Sequence, residues 1–397
     1  MKKYLLPLIL ILILSFALAG DCVDWLPGWD LRIKLTVQDA DIDTANLTWF
    51  PVTVHLTGAQ AEEIFTELDA DADYMKVAFT KADGTTELYA ENEIFNQAGS
   101  LATYHVSRDG WVIAYDANTD FYMYYDNDHT DNTTYIGTIN TTPGAAVWDG
   151  DFIFVSHQKD ATTSTVLDST SNNNDGTKKG ANEPVSIAGQ VSTAQDYDGT
   201  DDMIDHAATS GLDAATLLTV EAYINPDANT TYAGVVQRGS TAFVNGVFRL
   251  EQGLYAENNS SFTVQEVVSH TSKIAFNDVV VLNNGTWYYV YGLATATQVR
   301  CGVDLVEDTP VEYDGLDPLV TGSTHYYDKL YIGDYYYDTT PTHYYFNGQI
   351  DEVRVSDVAR ANEWLKATYN SLEDSLLTYG SEEEAPTDNA IMFGMNF

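Results

Sequence analysis

Basic residues are scarce in this chain of 397 residues. Lys and Arg number 18 and Asp and Glu number 59, so the formal net charge at pH 7 is −41. Nucleic acids and anionic membranes are bound through clustered Lys and Arg, so this balance argues against both as partners. A dense carboxylate surface attracts cations and keeps a protein soluble in salt, which fits a saline source or an ordinary acidic secreted protein. Hydrophobic residues still make up 44%, enough to drive folding.

Cysteine is almost absent, with only Cys22 and Cys301 in the chain. Two cysteines are too few for a disulfide framework, and no Cys/His group has zinc-finger spacing. Cys301 lies in a strand-like run, which favours a small buried side chain. A bridge to Cys22 is the alternative, because export permits disulfides.

Long apolar runs are confined to the first twenty residues. Lys2 and Lys3 precede the apolar stretch Leu5–Leu18, and small residues at Ala17–Gly20 offer a cleavage point. This order predicts a secretory signal peptide at residues 1–20, since the run is short for a membrane span of about 20 residues. We therefore expect an exported mature chain without membrane insertion after cleavage. An uncleaved anchor is the alternative.

Helical periodicity is also scarce, and short β-rich runs separated by Asp, Asn, Gly and Thr recur instead. Many short strands between turn signals predict an all-β protein built from β-sandwiches or jelly rolls. Helices are predicted only at Ala61–Leu68 and from Ser356 or Asp357 through Tyr369. The predicted strands include Leu31–Val37, Phe121–Tyr125, Val279–Leu282, Trp287–Leu293 and Gln349–Val355.

A composition change near Ser156–Thr165 divides the chain. We expect an N-terminal β-sandwich at residues 21–157 and a second β-sandwich at residues 158–380. From Ser381 onward the run Glu382-Glu383-Glu384 and Pro386 indicate a flexible acidic tail at residues 381–397.

Several motifs of the second half follow one another in a fixed order: Leu167–Gly176, Ala194–Ile204, Leu218–Pro226, Asn284–Val290 and Phe346–Val355. On these motifs, residues 164–380 resemble a laminin-G-like domain of the concanavalin A-like lectin/glucanase superfamily. The resemblance implies a jelly roll of two antiparallel sheets with a short helix after the closing strand. The first half contains Ile42–Val52, Phe121–Asn127 and Val147–Asp149. On these motifs, residues 25–155 resemble a domain of unknown function that often precedes such domains.

Catalytic signatures are missing. The glucanases that the second half resembles carry a Glu-x-Asp-x-(x)-Glu triplet on one strand, and residues 164–380 contain none. The run Glu307–Glu312 has the wrong spacing, and Pro310 disrupts a strand. His157, His206 and His343 belong to no HExxH or nucleophile motif, which favours structural roles. We therefore expect no enzyme.

The resemblance to calcium-binding members implies that Asp168 and Asp351 share one calcium ion, with carbonyls of the turn Asn172–Gly176 as further ligands. The alternative is that Asp168 forms a turn and that Asp351 pairs with Arg354 or a backbone amide. A second acidic group contains Asp196, Asp198, Asp201 and Asp202. We interpret this group as a tight turn before a strand.

Tyrosines crowd the segment Asp334–Tyr345, which the pattern predicts as a loop or hairpin. Sugar rings stack on aromatic faces, and interfaces are rich in Tyr. This predicts carbohydrate binding, whereas half-buried strand positions are the alternative. The candidate binding residues are Tyr335, Tyr336, Tyr337 and Tyr344.

Together these features predict a secreted, non-catalytic, lectin-like protein that binds glycans or a surface protein and uses calcium. A structural or adhesive component of a cell surface or phage appendage is the alternative, and a glycan hydrolase with an unfamiliar carboxylate pair is the third. The ligand and the oligomeric state have no signature in the sequence.

Overall fold

The computed structural model describes residues 24–179, 183–208, 210–212, 215–239, 248–253, 258–265, 271–315, 329–337 and 342–386. The predicted signal peptide, Cys22 and the distal part of the predicted tail lie outside these residues. None of the helices found in the described residues combines the length and apolarity needed to cross a bilayer.

The described residues form thirty strands, three α-helices and three short 3₁₀ turns. The helices are α1 (Gly58–Glu67), α2 (Thr142–Ala145) and α3 (Asn362–Leu372), and the 3₁₀ turns are Asp39–Asp41, Asp71–Met75 and Ser210–Leu212. The first fifteen strands are β1 (Leu31–Val37), β2 (Leu47–Thr48), β3 (Val52–Thr57), β4 (Val77–Lys81), β5 (Glu87–Asn96), β6 (Leu101–Ser107), β7 (Val112–Ile113), β8 (Thr119–Tyr125), β9 (Ile136–Thr138), β10 (Phe152–Ser156), β11 (Asp160–Thr162), β12 (Thr165–Val166), β13 (Gly176–Lys179), β14 (Val185–Ala188) and β15 (Thr193–Asp198). The others are β16 (Met203–Ala208), β17 (Leu218–Pro226), β18 (Ala233–Arg238), β19 (Phe248–Gln252), β20 (Ser260–Gln265), β21 (Ser272–Asn277), β22 (Tyr288–Ala294), β23 (Gln298–Val303), β24 (Val306–Glu307), β25 (Val311–Glu312), β26 (Lys329–Ile332), β27 (Asp334–Tyr337), β28 (Thr342–Tyr345), β29 (Asn347–Ser356) and β30 (Leu377–Glu384).

The N-terminal sheet has the order β3-β6-β5-β4-β8-β1-β30, and β9 joins β5 in parallel. Alternation directs one face of each strand into the core, as in β3, where Val52, Val54 and Leu56 are fully buried. Helix α1 begins at a capping box in which the Thr57 amide donates to the Gln60 side chain over 3.1 Å. Its Ile64 then packs into the same core.

The last strand of this sheet comes from the far end of the chain. Strand β30 pairs with β1 from Val37↔Leu377 to Leu31↔Glu384. Residues 381–384, which we expected in a flexible tail, are therefore part of a sheet edge. Two of their acidic side chains have partners: Glu383 lies 2.7 Å from Arg32, and Glu382 accepts from the Tyr125 hydroxyl over 2.7 Å.

Two further sheets face each other in the second half. One has the order β14-β15-β29-β17-β22-β23-β24, with β10 on β29 and β25 on β23, and the other runs β11-β12-β13-β16-β26-β18-β19-β20-β21. In β22 Val290 enters the core between these sheets, whereas Tyr289, Tyr291 and Leu293 form a second apolar layer with Leu365 of α3. The predicted all-β architecture of two β-sandwiches, with a short helix after the closing strand, is confirmed.

The two halves share elements. Strand β10 belongs to the expected N-terminal segment, yet it pairs with β29 from Phe152↔Ser356 to Ser156↔Val353. Helix α3 follows the C-terminal sheet, yet its Trp364 is part of the N-terminal core. The region between the two halves is therefore lined by β5 and β6 on one side and by β10 and β29 on the other.

Candidate functional site

Four ionisable side chains meet between the two halves of the molecule. Glu93 lies on β5, His105 on β6, His157 directly after β10 and Glu352 on β29, and all four are at most 1% exposed. One nitrogen or oxygen atom of each lies within 4.8 Å of the others. We call this group the buried His–Glu cluster.

Both carboxylates of the cluster sit where the sheet register shifts. Glu93 falls at the irregularity between Asn92 and Ile94 of β5, and Glu352 falls at the one where β29 passes β17. Such bulges re-aim side chains that regular pairing would direct elsewhere. Glu352 also has a φ of 47°, a left-handed value that non-glycine residues adopt only when the surroundings hold them there.

The two histidines pair with different carboxylates. His157 Nδ1 lies 2.5 Å from Glu352 Oε1 and 3.9 Å from Glu93 Oε2, while His105 Nε2 lies 3.2 Å from the same Glu93 oxygen. The imidazole rings are stacked with centroids 4.3 Å apart and planes 11° apart. Two atoms of the cluster, Glu93 Oε1 and His157 Nε2, are buried without a hydrogen-bond partner in the structure.

Neighbouring groups orient the cluster from both sides. Arg354 donates to Glu352 over 2.7 Å, and its guanidinium lies 5.3 Å from the ring centroid of Trp148. Lys159 donates to the backbone carbonyl of Glu93. Glu91 lies 3.8 Å from His157 and accepts from the Trp148 indole over 2.5 Å. The cluster thus joins a wider polar network between the sheets.

Burial and local charge separate the protonation states of the two histidines. Burial lowers the pKa of His105, and the nearby His157 charge lowers it further, so His105 is neutral. Burial also opposes charge on His157, but Glu352 and Glu93 outweigh it and raise the pKa of His157 well above its usual value. Likewise, burial opposes charge on Glu352, but His157 and Arg354 hold its pKa well below its usual range. For Glu93, burial raises the pKa to about 8.

The cluster was missed by the sequence analysis, which favoured a structural role for His157. Three of its residues lie on separate strands, the fourth directly follows another strand, and together they follow no short motif. Histidine nitrogens and carboxylate oxygens in this number are the ligand types of divalent transition metals. The arrangement is therefore able to hold a metal ion or to share protons.

The two predicted calcium ligands each have their own hydrogen-bond partners. Asp168 is buried and accepts from the backbone amides of Val155, Thr170 and Asn174 at 3.2, 2.9 and 2.9 Å. These bonds organise the turn after β12, although burial raises the pKa of Asp168 to about 6. A shared ion remains a prediction.

Asp351 is buried on β29 and accepts from the amides of Val191 and Glu352 at 2.9 and 2.8 Å. Burial and the charges of Glu352 and Glu93 raise its pKa well above the usual value. Pairing of Asp351 with a backbone amide is the alternative to calcium binding that the sequence left open.

The second acidic group forms a turn between β15 and β16. Asp198 accepts from the amides of Thr200 and Asp201 at 2.7 and 3.3 Å, and Asp202 accepts from the amide of Asp198 at 3.0 Å. Carboxylate atoms of Asp198, Asp201 and Asp202 also lie within 4.8 Å of one another. The bonds fit the tight turn that we preferred for these residues.

The predicted tyrosine segment is a two-stranded hairpin, β27 paired with β28. Tyr335 opposes Tyr344, and their rings stack with centroids 5.2 Å apart. Tyr335 is only 7% exposed, because the Arg249 guanidinium lies 4.3 Å from its ring centroid. Tyr344 is half-buried and has the Tyr232 ring 5.5 Å away. The side chains of Tyr336 and Tyr337 lie outside the described part of the structure.

Polar groups border this aromatic hairpin. His343 Nδ1 lies 2.7 Å from the buried carboxylate of Asp334, and its ring stacks on that of Tyr345 at 5.2 Å. Both His343 and Tyr345 are half-buried. The hairpin therefore presents partly exposed ring surface beside hydrogen-bonding groups.

Residues 198–366 match the family model described as the concanavalin A-like lectin/glucanases superfamily. The predicted resemblance of the second half to this superfamily is confirmed over that stretch. The match covers strands β16 to β29, which include the hairpin, and the first five residues of α3. A comparison with curated proteins finds no match.

Similar solved structures include domain 4 of an extracellular arabinanase from Geobacillus stearothermophilus, solved with arabinotriose. It is 20% identical, and the match covers 57% of this chain and 98% of that one with a TM-score of 0.42. The receptor-binding domain of botulinum neurotoxin C/D mosaic serotype is 10% identical. The match covers 55% of this chain and 51% of that one, with a TM-score of 0.41. The binding domain of Paraclostridial Mosquitocidal Protein 1 is 9% identical, and the match covers 56% of this chain and 52% of that one, with a TM-score of 0.41. The match thus spans about half of each toxin domain, and scores this low carry no argument about ligands.

Proposed function

We propose that this chain is a secreted, non-catalytic, lectin-like protein that binds glycans through the aromatic hairpin β27–β28. The observation that carries the proposal is the half-buried Tyr344 ring, held between Tyr335 and Tyr232. A ring supported on two sides is already ordered, so little side-chain entropy is lost when a sugar stacks on it.

The neighbouring groups supply the polar half of such a site. Sugar hydroxyls need donors and acceptors at fixed positions, and the linked pair Asp334 and His343 offers both beside the rings. Tyr335 has a supporting role in this arrangement, because it is buried under Arg249. Calcium at Asp168 or Asp351 would then act on loop stability, since both carboxylates are directed at backbone amides.

A glycan array probed with residues 21–397, once with calcium and once with EDTA, tests the proposal. We expect binding that Tyr344→Ala weakens about tenfold or more, as for a central aromatic contact. Tyr115→Ala is the matched control, because Tyr115 is an exposed tyrosine of the other half at 41% exposure. Absence of glycan binding, or equal loss in both variants, would contradict the proposal.

The alternative function is an adhesive or structural component of a cell surface or phage appendage. Light scattering of the mature chain separates the two, because a stable trimer without glycan binding would favour the appendage. Release of reducing sugar that is lost in carboxylate variants would instead revive a hydrolase.

A further inference from the structure

We propose that the buried His–Glu cluster is a binding site for one divalent transition-metal ion of the zinc type, which clamps the two halves of the molecule together. The cluster is separate from the aromatic hairpin, so this inference does not depend on glycan binding. It rests on ligand type, spacing, unpartnered atoms and charge, taken in turn below.

The ligand types fit a borderline metal. Zinc accepts both imidazole nitrogens and carboxylate oxygens, whereas calcium prefers oxygen ligands throughout. None of the four side chains is exposed to solvent by more than 1%. A closed site with four protein ligands is the arrangement of structural zinc, while catalytic zinc keeps an open position.

The spacing of the ligand atoms is close to that of a coordination tetrahedron. With bonds of about 2.0–2.2 Å, the edges of such a tetrahedron are roughly 3.3–3.6 Å long. Glu93 Oε2 lies 3.2 Å from His105 Nε2 and 3.9 Å from His157 Nδ1. The His157–Glu352 contact of 2.5 Å is shorter and holds a proton, which a metal would replace. The parallel rings require one imidazole to turn out of the stack so that both nitrogens face the ion.

Two buried atoms point to a missing partner. Glu93 Oε1 and His157 Nε2 are buried without a hydrogen bond of normal length in the structure, which is unfavourable for polar atoms. If the Glu93 or His157 side chain rotated toward a bound ion, its unpartnered atom would move out of its present surroundings. The neighbouring oxygens of Glu91, 3.8 Å from His157, would accept the second imidazole N–H and fix the ring.

The charges around the cluster also favour a dication. Five fully buried acidic side chains lie in or beside it, and the permanently charged side chains nearest to them are those of Arg354 and Lys159. A doubly charged ion would compensate this local excess of acidic groups. The acidic side chains are Glu91, Glu93, Glu221, Asp351 and Glu352.

The position of the ligands assigns the ion a role. Glu93 and His105 belong to the N-terminal sheet, whereas Glu352 lies on β29 and His157 directly follows β10, both strands of the other sheet. An ion bound by all four would cross-link the two halves, so its removal should loosen their contact.

The test measures zinc directly in the tag-free full chain. Metal analysis after dialysis against limiting zinc should give about one ion per chain, and zinc should raise the melting temperature relative to EDTA-treated protein. His157→Gln should lower zinc affinity by at least about tenfold. The matched control is His206→Gln, which also removes a buried histidine but lies outside the cluster and donates to the Asn174 carbonyl.

Cobalt provides a second readout that needs no variant. Co²⁺ added to wild-type protein should give the intense visible absorption of a four-coordinate site, and one equivalent of zinc should abolish it. The proposal is overturned if the wild type binds no stoichiometric zinc, if calcium raises the melting temperature while zinc does not, or if folded His157→Gln protein keeps the affinity of the control.

Discussion

Gly234 holds the aromatic hairpin close to the jelly roll. It lies on β18, and a Cβ atom at this position would meet the carbonyl carbon and oxygen of Asp334 at 2.3 Å and the amide nitrogen of Tyr335 at 2.4 Å. These are backbone atoms, so no rotamer change relieves the contact. We predict that Gly234→Ala displaces the start of β27 from β18.

The magnitude follows from the distances. Real Cβ contacts are essentially never shorter than 3.0 Å, so the two backbones would have to separate by about 0.7 Å. Overpacking of a dense core by one methyl group typically costs about 1–3 kcal/mol. We expect a loss in that range, together with weaker glycan binding, because Tyr335 and Tyr344 would move with the strand.

Urea unfolding of the full chain, followed by tryptophan fluorescence and circular dichroism, measures the loss. Gly150→Ala is the control, since its Cβ would meet no atom within 4 Å and its φ is not positive. Its free energy of unfolding should change by less than about 0.5 kcal/mol, as at ordinary surface positions. The reasoning is refuted if the two variants unfold at the same urea concentration with equal slopes.

Three other predictions concern buried charged or polar groups. Burial lowers the pKa of His206 to about 4, so below pH 6.5 the unfolded chain binds a proton that the folded chain does not bind. The free energy of unfolding should therefore fall toward pH 4 by up to about 1.4 kcal/mol per pH unit. In urea titrations at several pH values, His206→Gln should reduce this dependence on pH. An unchanged slope would contradict it. Arg360 donates to Asp149 over 2.8 and 2.7 Å and stacks on Trp364 at 4.1 Å, so Arg360→Lys should cost about 1–3 kcal/mol in the same assay, and a neutral result would mean that the bidentate geometry is dispensable. Burial raises the pKa of the Cys301 thiol to about 12, so in a Cys22→Ala chain a thiol reagent should react only after denaturant is added, whereas rapid native reaction would show that the thiol is accessible.

Local patterns were sufficient for most of the fold. The run Leu31–Val37 coincides with β1, because alternating apolar residues there can bury one face of a sheet. The run Val279–Leu282 was wrongly predicted as a strand. Strand β21 ends at Asn277, whose side chain accepts from the Val280 amide and starts a turn, and Val279 is left 59% exposed. Val280 and Leu282 still pack toward the core, but no described strand pairs with this segment, so the apolar alternation alone did not make a strand.

The candidate sites were less accessible to such patterns. The hairpin was proposed as a binding site because its tyrosines are neighbours in sequence, but the burial of Tyr335 depends on Arg249, a residue from another strand. The His–Glu cluster depends on still more distant pairings, and on bulges that direct Glu93 and Glu352 inward. A bulge changes the direction of one side chain without changing the composition around it, so the single sequence carries little trace of it.

The same distant pairings explain where the cluster lies. Because β10 enters the C-terminal sheet and β30 returns to the N-terminal one, the chain passes between the two halves twice. Each passage brings polar backbone and side chains into a region that the sheets then bury. Trp364 of α3 contributes apolar packing to this region. Because the region is buried, its polar groups form hydrogen bonds with one another rather than with water. The boundaries drawn at residues 157 and 380 therefore separate segments of sequence, whereas the structure joins these segments around the buried His–Glu cluster.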